Sequence, residues 1–582
     1  MRVSISAEGG TLWSANYDLL DRAQSTRAHY IPGAAAGIWV DQAWDRYGNL
    51  QSEGIRNAST GEVLSTSYAY DTRNRLSGAT LPAGASLVIT HNEADQRTNL
   101  AYPNGTNQGT TYLANGNVDI ITLTAPGGAT LERWDYAYDA VSNVDTITTT
   151  QGVYDYSYDD LDRLTSGSYP AATGLATESY LYDALGNREL PGDLNAYQYD
   201  PNNRMTVSPG TTHSYDPDGS LVGRVGERGL TVSAQYDATN RPVFWASETP
   251  SLSTYLDYAH EPQGRRIRVH AEKVTGVNTT ETTSYYLWAG DHIVAEYDVA
   301  GTRTVRYAYL PGDYAPIQQA TATATTYLHS DRLQTPRRGT STAGVVTWKG
   351  DYRSFGDGTP NTDPDGNGQA VVVKHRFPGQ YAEESGLSYN YYRDYDPATG
   401  RYVETDSIGL KGGLNTFEYA SSNTARWTDP FGLARLPLDC RTLPTDWKGT
   451  IQCDGNGDYE IVNCGGPCIR NCVRQHEQTH ISDWKARFGA KSCQNRQKGD
   501  PPSDENANIH GGFQGPLDWG DFRAWTECRA WRLTKSCAQA ALGGGSSGGG
   551  TASCDPCTKE LGDLVQNSDH QMGQYRCTFY GW

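Results

Sequence analysis

The sequence predicts a mainly β chain, with a long body of hairpin repeats followed by a smaller, cysteine-rich domain that is α-rich or α+β. Three observations lead there. Tyr (39) and Gly (63) are plentiful while Phe (9) and Met (3) are scarce, a balance that suits strands and tight turns better than packed helices. A Tyr-x-Tyr-Asp unit recurs between residues 68 and 237. All 11 Cys lie between Cys440 and Cys577, which marks a domain border. At 582 residues the chain also exceeds what one hydrophobic core fills, about 250–300 residues.

The repeat body comes first. The unit stands at Tyr68–Asp71, Tyr136–Asp139, Tyr156–Asp159, Tyr180–Asp183 and Tyr197–Asp200, with degenerate copies at Tyr215-Asp216 and Tyr236-Asp237. From Tyr136 onward the units follow one another 16 to 24 residues apart, and several run into a turn and an Arg, as in YSYDDLDRL and YQYDPNNRM. That spacing fits one hairpin per repeat. Alternating Tyr puts two rings on one strand face, and the Asp closes the turn by bonding its own backbone. A lone hairpin is marginal in water, so many must lie edge to edge.

Charge narrows the function. Residues 434–582 hold 16 of the 48 Lys and Arg and 17 of the 67 Asp and Glu, leaving 32 basic against 50 acidic residues for 1–433. Neither part has the basic face from which nucleic-acid affinity arises, so a nucleic-acid partner is not expected. No run of about 18 apolar residues appears, so no membrane span is expected either. The first residues, MRVSISAEGG, lack the cationic start and apolar run of a signal peptide. Repeat-like sequence begins by Tyr17, and the expectation is the C-terminal part of a longer protein.

The YD units, together with YLHSDRLQTPRRGT and DYRSFGDG and above all the stretch YNYYRDYDPATGRYVETDSIGLKGGLNTFEYASSNTARWTDPFGL, resemble the RHS family of polymorphic toxins over nearly all of residues 15–433. The resemblance implies a β-sheet wound into a hollow shell over residues 1–380 and an RHS core over 381–433. It further implies that two aspartates, which map onto Asp406 and Asp429, cut the chain after Leu433 and before Ala434. The chemistry is sound, because two carboxylates held close share a proton and can act as acid and base. Asp is equally at home capping a turn before Gly or Pro. Ser407 stands where the family usually has Pro, though the carboxylate is kept. Arg401 is a candidate to orient the pair, and a buried structural Arg is the alternative.

Residues 434–582 would then be the cargo. PCIRNCVRQHEQTHISDWKARFGAKS reads as a helix, with Pro467 suited to its first turn and Gly489 to its stop. His476 and His480, one turn apart, can bind one Zn2+, with Glu477 beside them as general base. Chance occurrence of H-E-x-x-H over this length is on the order of 0.01. A third ligand is required. Glu527, in Glu527-Cys528-Arg529-Ala530 on a second expected helix 47 residues after His480, resembles the third ligand of the gluzincin peptidases. His510, in NIHGGFQG, is the other candidate, as ligand or transition-state donor. The expected reaction is zinc-assisted hydrolysis of peptide bonds in a protein substrate.

The dense cysteines point to disulfides and an oxidising compartment such as the periplasm. Cys554-x-x-Cys557 leaves half of a zinc knuckle as the alternative, and GGGSSGGG at 543–550 reads as a flexible linker. By family analogy the partners are a cognate immunity protein and a secretion apparatus that engages a region preceding this chain, with delivery outside the producing cell. Two other readings remain. One is a surface-interaction protein with YD repeats and an inert disulfide-stabilised tail, and the other is a toxin whose tail is a different hydrolase.

Overall fold

The computed structural model describes residues 2–7, 10–18, 22–32, 37–193, 195–262, 264–411, 413–433, 449–453 and 459–463. The chain divides into two compact units, one made of Met1–Asp45, Asn49–Ala69 and Leu76–Arg435, the other of Arg46–Gly48, Tyr70–Arg75 and Leu436–Trp582. Within the second, Gly449–Cys453 and Tyr459–Asn463 pair as an antiparallel hairpin. His476, Glu477, His480, His510 and Glu527 lie outside the described residues, as does Ala434.

Among the described residues the first unit is built from antiparallel sheets, and within each sheet the strands pair in sequence order. Sixteen strands run from Arg2–Ala7 to Glu178–Ser179, and fifteen from Gln198–Tyr199 to Val346–Lys349. A small four-stranded sheet follows, made of Tyr381–Ala382, Ser388–Asn390, Arg393–Asp396 and Arg401–Tyr402. The mainly β expectation holds. Among the described residues no helix is long and apolar enough to cross a membrane.

The repeat explains itself at Asp159. Its Oδ1 accepts the N–H groups of Leu161 (3.0 Å) and Arg163 (2.9 Å), and its Oδ2 accepts Arg163 Nε (2.8 Å). Asp162 N–H donates to the Asp159 carbonyl at 2.9 Å, and Asp162 adopts φ 61°. This is a type I turn followed by a left-handed residue, with the register shift that such a turn imposes between Ser157 and Tyr158. Asp200 with Asn203 (φ 61°) and Asp237 with Asn240 (φ 66°) repeat it. In these three units the Arg then reaches forward to the next turn: Arg163 Nη1 donates to Asp183 O (2.9 Å), Arg204 Nη1 to Asp216 O (3.0 Å) and Arg241 Nη1 to Glu261 O (2.8 Å).

The Tyr next to each Asp reaches backward instead. Tyr138, Tyr158, Tyr182 and Tyr236 donate their hydroxyls to the carbonyls of Val118, Val144, Leu164 and Leu221 at 2.6 to 2.9 Å. Its partner two residues earlier shares the face, as strand alternation requires: the rings of Tyr136 and Tyr138 stack at 6.5 Å, and Tyr136 is buried with Ile121, Leu123, Trp134 and Val144. The units ending in Arg163 and Arg241 are thus tied to both neighbours by their own signature residues. Asp159→Ala is expected to cost about 1–3 kcal/mol, read as a lower midpoint in denaturant unfolding. Exposed Asp160 next to it is expected to tolerate Ala within about 0.5 kcal/mol.

The four-stranded sheet is fixed to the long one by a buried charge. Arg266 is fully buried and pairs with Glu383 (2.6 Å) and Asp394 (2.8 Å), its guanidinium lying 4.0 Å from the Tyr258 ring centroid and 4.4 Å from that of Tyr389. Neighbouring residues of a strand face opposite ways. With Asp394 committed to Arg266, Arg393 is turned to the other face, where the candidate site lies.

Candidate active site

Asp406 and Asp429 are 23 positions apart in sequence and meet at one guanidinium. Arg393 Nη2 lies 3.1 Å from Asp406 Oδ2 and 3.4 Å from Asp429 Oδ2, with all three side chains no more than 3% exposed. The rest of Arg393 is held just as firmly. Nη1 donates to Thr416 O (2.9 Å), Nε donates to Gly432 O, and the group lies 3.5 Å from the centroid of the Tyr402 ring.

Each aspartate is set by its local turn. Asp406 follows the strand Arg401–Tyr402; its N–H donates to Thr416 O (3.1 Å), and its Oδ1 accepts the N–H of Ile408 (2.9 Å). Asp429 opens the turn Asp429-Pro430-Phe431-Gly432-Leu433, and its Oδ1 accepts the N–H of Leu433 at 3.1 Å. Gly432 is required in that turn: its φ is +66°, and a Cβ there would sit 2.6 Å from the carbonyl oxygen of Asn390. Tyr402 donates its hydroxyl to Asp429 Oδ2 (2.8 Å), while Asn390 Nδ2 donates to Tyr402 Oη (2.8 Å) and to the Asp429 carbonyl (2.9 Å).

Burial dominates the electrostatics. It pushes the Asp406 carboxyl up to about 6, against the pull of Arg393 and the Ile408 N–H, and the charge of Asp429 adds to the rise. Burial also raises Asp429, opposed by Arg393, the Tyr402 hydroxyl and the N–H groups of Leu433 and Gly432. Two carboxylates sharing one cation carry one negative charge too many for a dry site, which favours a single shared proton. Such a pair can give and take a proton in one reaction.

Leu433 is the last described residue of this unit's main run, and its N–H donates to Asp429 Oδ1. Arg401 is placed elsewhere. Its guanidinium donates to Asn187 Oδ1 (3.1 Å), Asn203 O (2.7 Å) and Asn415 Oδ1 (3.2 Å), tying the repeats to the loop before Phe417. Sequence reasoning missed Arg393, Tyr402 and Asn390. The signal was there for Arg393, since adjacent opposite charges inside the aromatic run YYRDY must face opposite sides of a strand and find separate buried partners.

No family model matches the chain. It is 30% identical to the double-stranded DNA deaminase toxin A of Burkholderia cenocepacia over 322 residues, which cover 52% of this chain and 22% of that protein. It is 28% identical to the probable deoxyribonuclease RhsA of Dickeya dadantii over 400 residues, 64% of this chain and 26% of that one. The toxin protein Tse5 of Pseudomonas aeruginosa is 28% identical over 395 residues, 56% of this chain and 28% of its own length.

Its relatives are polymorphic toxins of the RHS and Tc-toxin family. This chain spans only about a quarter of the length of these RHS-type relatives. The crystal structure of TcdB2-TccC3 shares the fold with a TM-score of 0.50 at 16% identity, covering 74% of this chain and 24% of that one.

Proposed function

We propose that this chain is the shell and payload of an RHS-type toxin, in which Asp406 and Asp429 cut the chain after Leu433 and free a zinc metallopeptidase comprising residues 434–582. The observation that carries the first half is the pair of aspartates converging on Arg393, with the Leu433 N–H bound to one of them. One carboxyl gives its proton to the Leu433 carbonyl oxygen while the other takes a proton from the attacking water. Because the pair must keep one proton to do this, self-cleavage is expected to slow as pH rises through about 6, where Asp406 titrates. The readout is the rate of chain cleavage across a pH series.

The second half rests on HEQTH at 476–480. Two imidazoles with a carboxylate form a donor set that suits zinc, and His476, His480 and Glu527 would supply it. Zn2+ contributes Lewis-acid activation when bound. Glu477 takes the proton of the attacking water and passes it to the leaving nitrogen, and His510 is the remaining candidate donor to the site. Confinement of the payload by the shell, delivery outside the producing cell, activity in an oxidising compartment such as the periplasm, and a cognate immunity protein belong to the same reading.

A second reading has its own support. The relatives' names describe a DNA deaminase, a deoxyribonuclease and, in Bacillus spizizenii, a tRNA3(Ser)-specific nuclease, so a payload that acts on nucleic acid fits the company this chain keeps. Their activities differ from one another while the likeness to this chain persists, which favours reading the payload from its own residues. Metal analysis of the purified protein, with casein, duplex DNA and tRNA offered as substrates, separates the two. About one zinc per chain with casein cleaved supports the peptidase, whereas nucleic acid consumed and casein untouched would overturn it.

A further inference from the structure

We infer that Tyr402 is a positioning residue which, with its hydroxyl oriented by Asn390, makes Asp429 the proton acceptor of the pair and leaves the working proton on Asp406. The inference rests on the self-cleavage reading above and adds to it a division of labour.

The direction of the hydrogen bonds decides the matter. Asn390 Nδ2 can only donate, and its two hydrogens go to Tyr402 Oη at 2.8 Å and to the main-chain carbonyl of Asp429 at 2.9 Å. Turning the amide over would set its oxygen against that carbonyl, so the orientation is fixed by the network. The phenol has one proton, and with its oxygen already accepting from Asn390, that proton points at Asp429 Oδ2, 2.8 Å away. The other Asp429 oxygen accepts the Leu433 N–H. Both oxygens of Asp429 therefore face neutral donors.

Asp406 is less well supplied. Its Oδ1 accepts the Ile408 N–H and, among the described residues, its Oδ2 faces Arg393. Among the described residues the charged and titratable groups that face the pair are Arg393, which both carboxylates share, Tyr402, and Tyr419, whose ring lies 5.8 Å from that of Tyr402, and the buried Glu404 carboxyl acts on Arg393. Arg393 lies slightly nearer Asp406 (3.1 Å) than Asp429 (3.4 Å) and by itself favours ionising Asp406, so the phenol, at 2.8 Å from Asp429, is the donor that tips the pair the other way. Donors to a carboxylate favour its ionised form. Tyr402 itself keeps its proton, because burial and the neighbouring Asp429 hold it well above the usual phenol range.

The step then balances. Water adds its oxygen to the Leu433 carbonyl carbon, its proton passes to Asp429, and the Asp406 proton passes to the carbonyl oxygen. On collapse the bond to the Ala434 nitrogen breaks, that nitrogen takes the proton from Asp429, and Asp406 recovers its own from the hydroxyl. One water is consumed and both carboxyls return to their starting states.

The test is a pH profile of self-cleavage. The full chain is recovered unfolded in urea and diluted into buffers from about pH 4.5 to 8.5, and the intact fraction is followed on denaturing gels. Tyr402→Phe keeps the ring beneath Arg393 and removes only the donor. It is expected to move the acid limb of the profile up by about one pH unit and to slow cleavage about tenfold on that limb, while the upper limb stays in place. Asn390→Ala, which leaves the phenol present but unoriented, is expected to move the same limb in the same direction by less. Profiles that coincide with that of the parent for both variants overturn the assignment. A parent that is never cut at any pH would sink the self-cleavage reading itself, a separate outcome.

Discussion

Asp429→Asn is expected to leave the chain whole, with cleavage after Leu433 slowed by about 10²–10⁴-fold, the usual worth of a positioned acid or base. The substitution is nearly isosteric, yet an amide placed at this point can no longer take a proton. Its nitrogen, if turned toward Oδ2's place, would meet the Tyr402 hydroxyl and Arg393 Nη2, which are both donors. Asp406→Asn is expected to give a loss of similar size by removing the acid. Because each replacement leaves Arg393 with one carboxylate still in place, the folded shell should persist, and the intact fraction over time on a denaturing gel separates lost chemistry from lost structure. Unchanged cleavage in either variant would exclude that carboxyl from the reaction.

Glu477→Ala is expected to lower peptidase activity by about 10²–10⁴-fold without altering zinc content, because this carboxylate moves a proton and is not counted among the ligands. His480→Ala is expected to remove both activity and metal. The paired result matters more than either half, since it distinguishes a base from a ligand. Casein hydrolysis and zinc content, measured on the same preparations, provide the check. Equal activity in Glu477→Ala and the parent would leave HEQTH without a catalytic role.

Much of the shell is written in short-range terms. Asp159, Asp162 and Arg163 form their turn within five positions, and Tyr158 finds its carbonyl 14 residues away, so period, turn chemistry and strand class can all be read from one repeat. The site is a different matter. Asp406 and Asp429 could be named from the RHS resemblance, but their meeting at Arg393 depends on how the four-stranded sheet is seated, and that is fixed by Arg266, more than a hundred positions away. Arg401, in the Gly-Arg-Tyr step, is in the sequence equally a candidate to orient the pair or a buried structural Arg, and its carbonyl and amide partners at 187, 203 and 415 make it a strut between the repeats and the core. Pairings of that range leave no local period to read. His476, Glu477, His480, His510 and Glu527 lie outside the described residues.

The most direct measurement is the intact mass of the C-terminal fragment released when the purified full-length chain is held at mildly acidic pH. A fragment whose mass begins at Ala434 and ends at Trp582 is the predicted result. A chain that stays whole under those conditions, or a fragment that starts anywhere else, would contradict the assignment of Asp406 and Asp429 as the pair that opens the bond after Leu433.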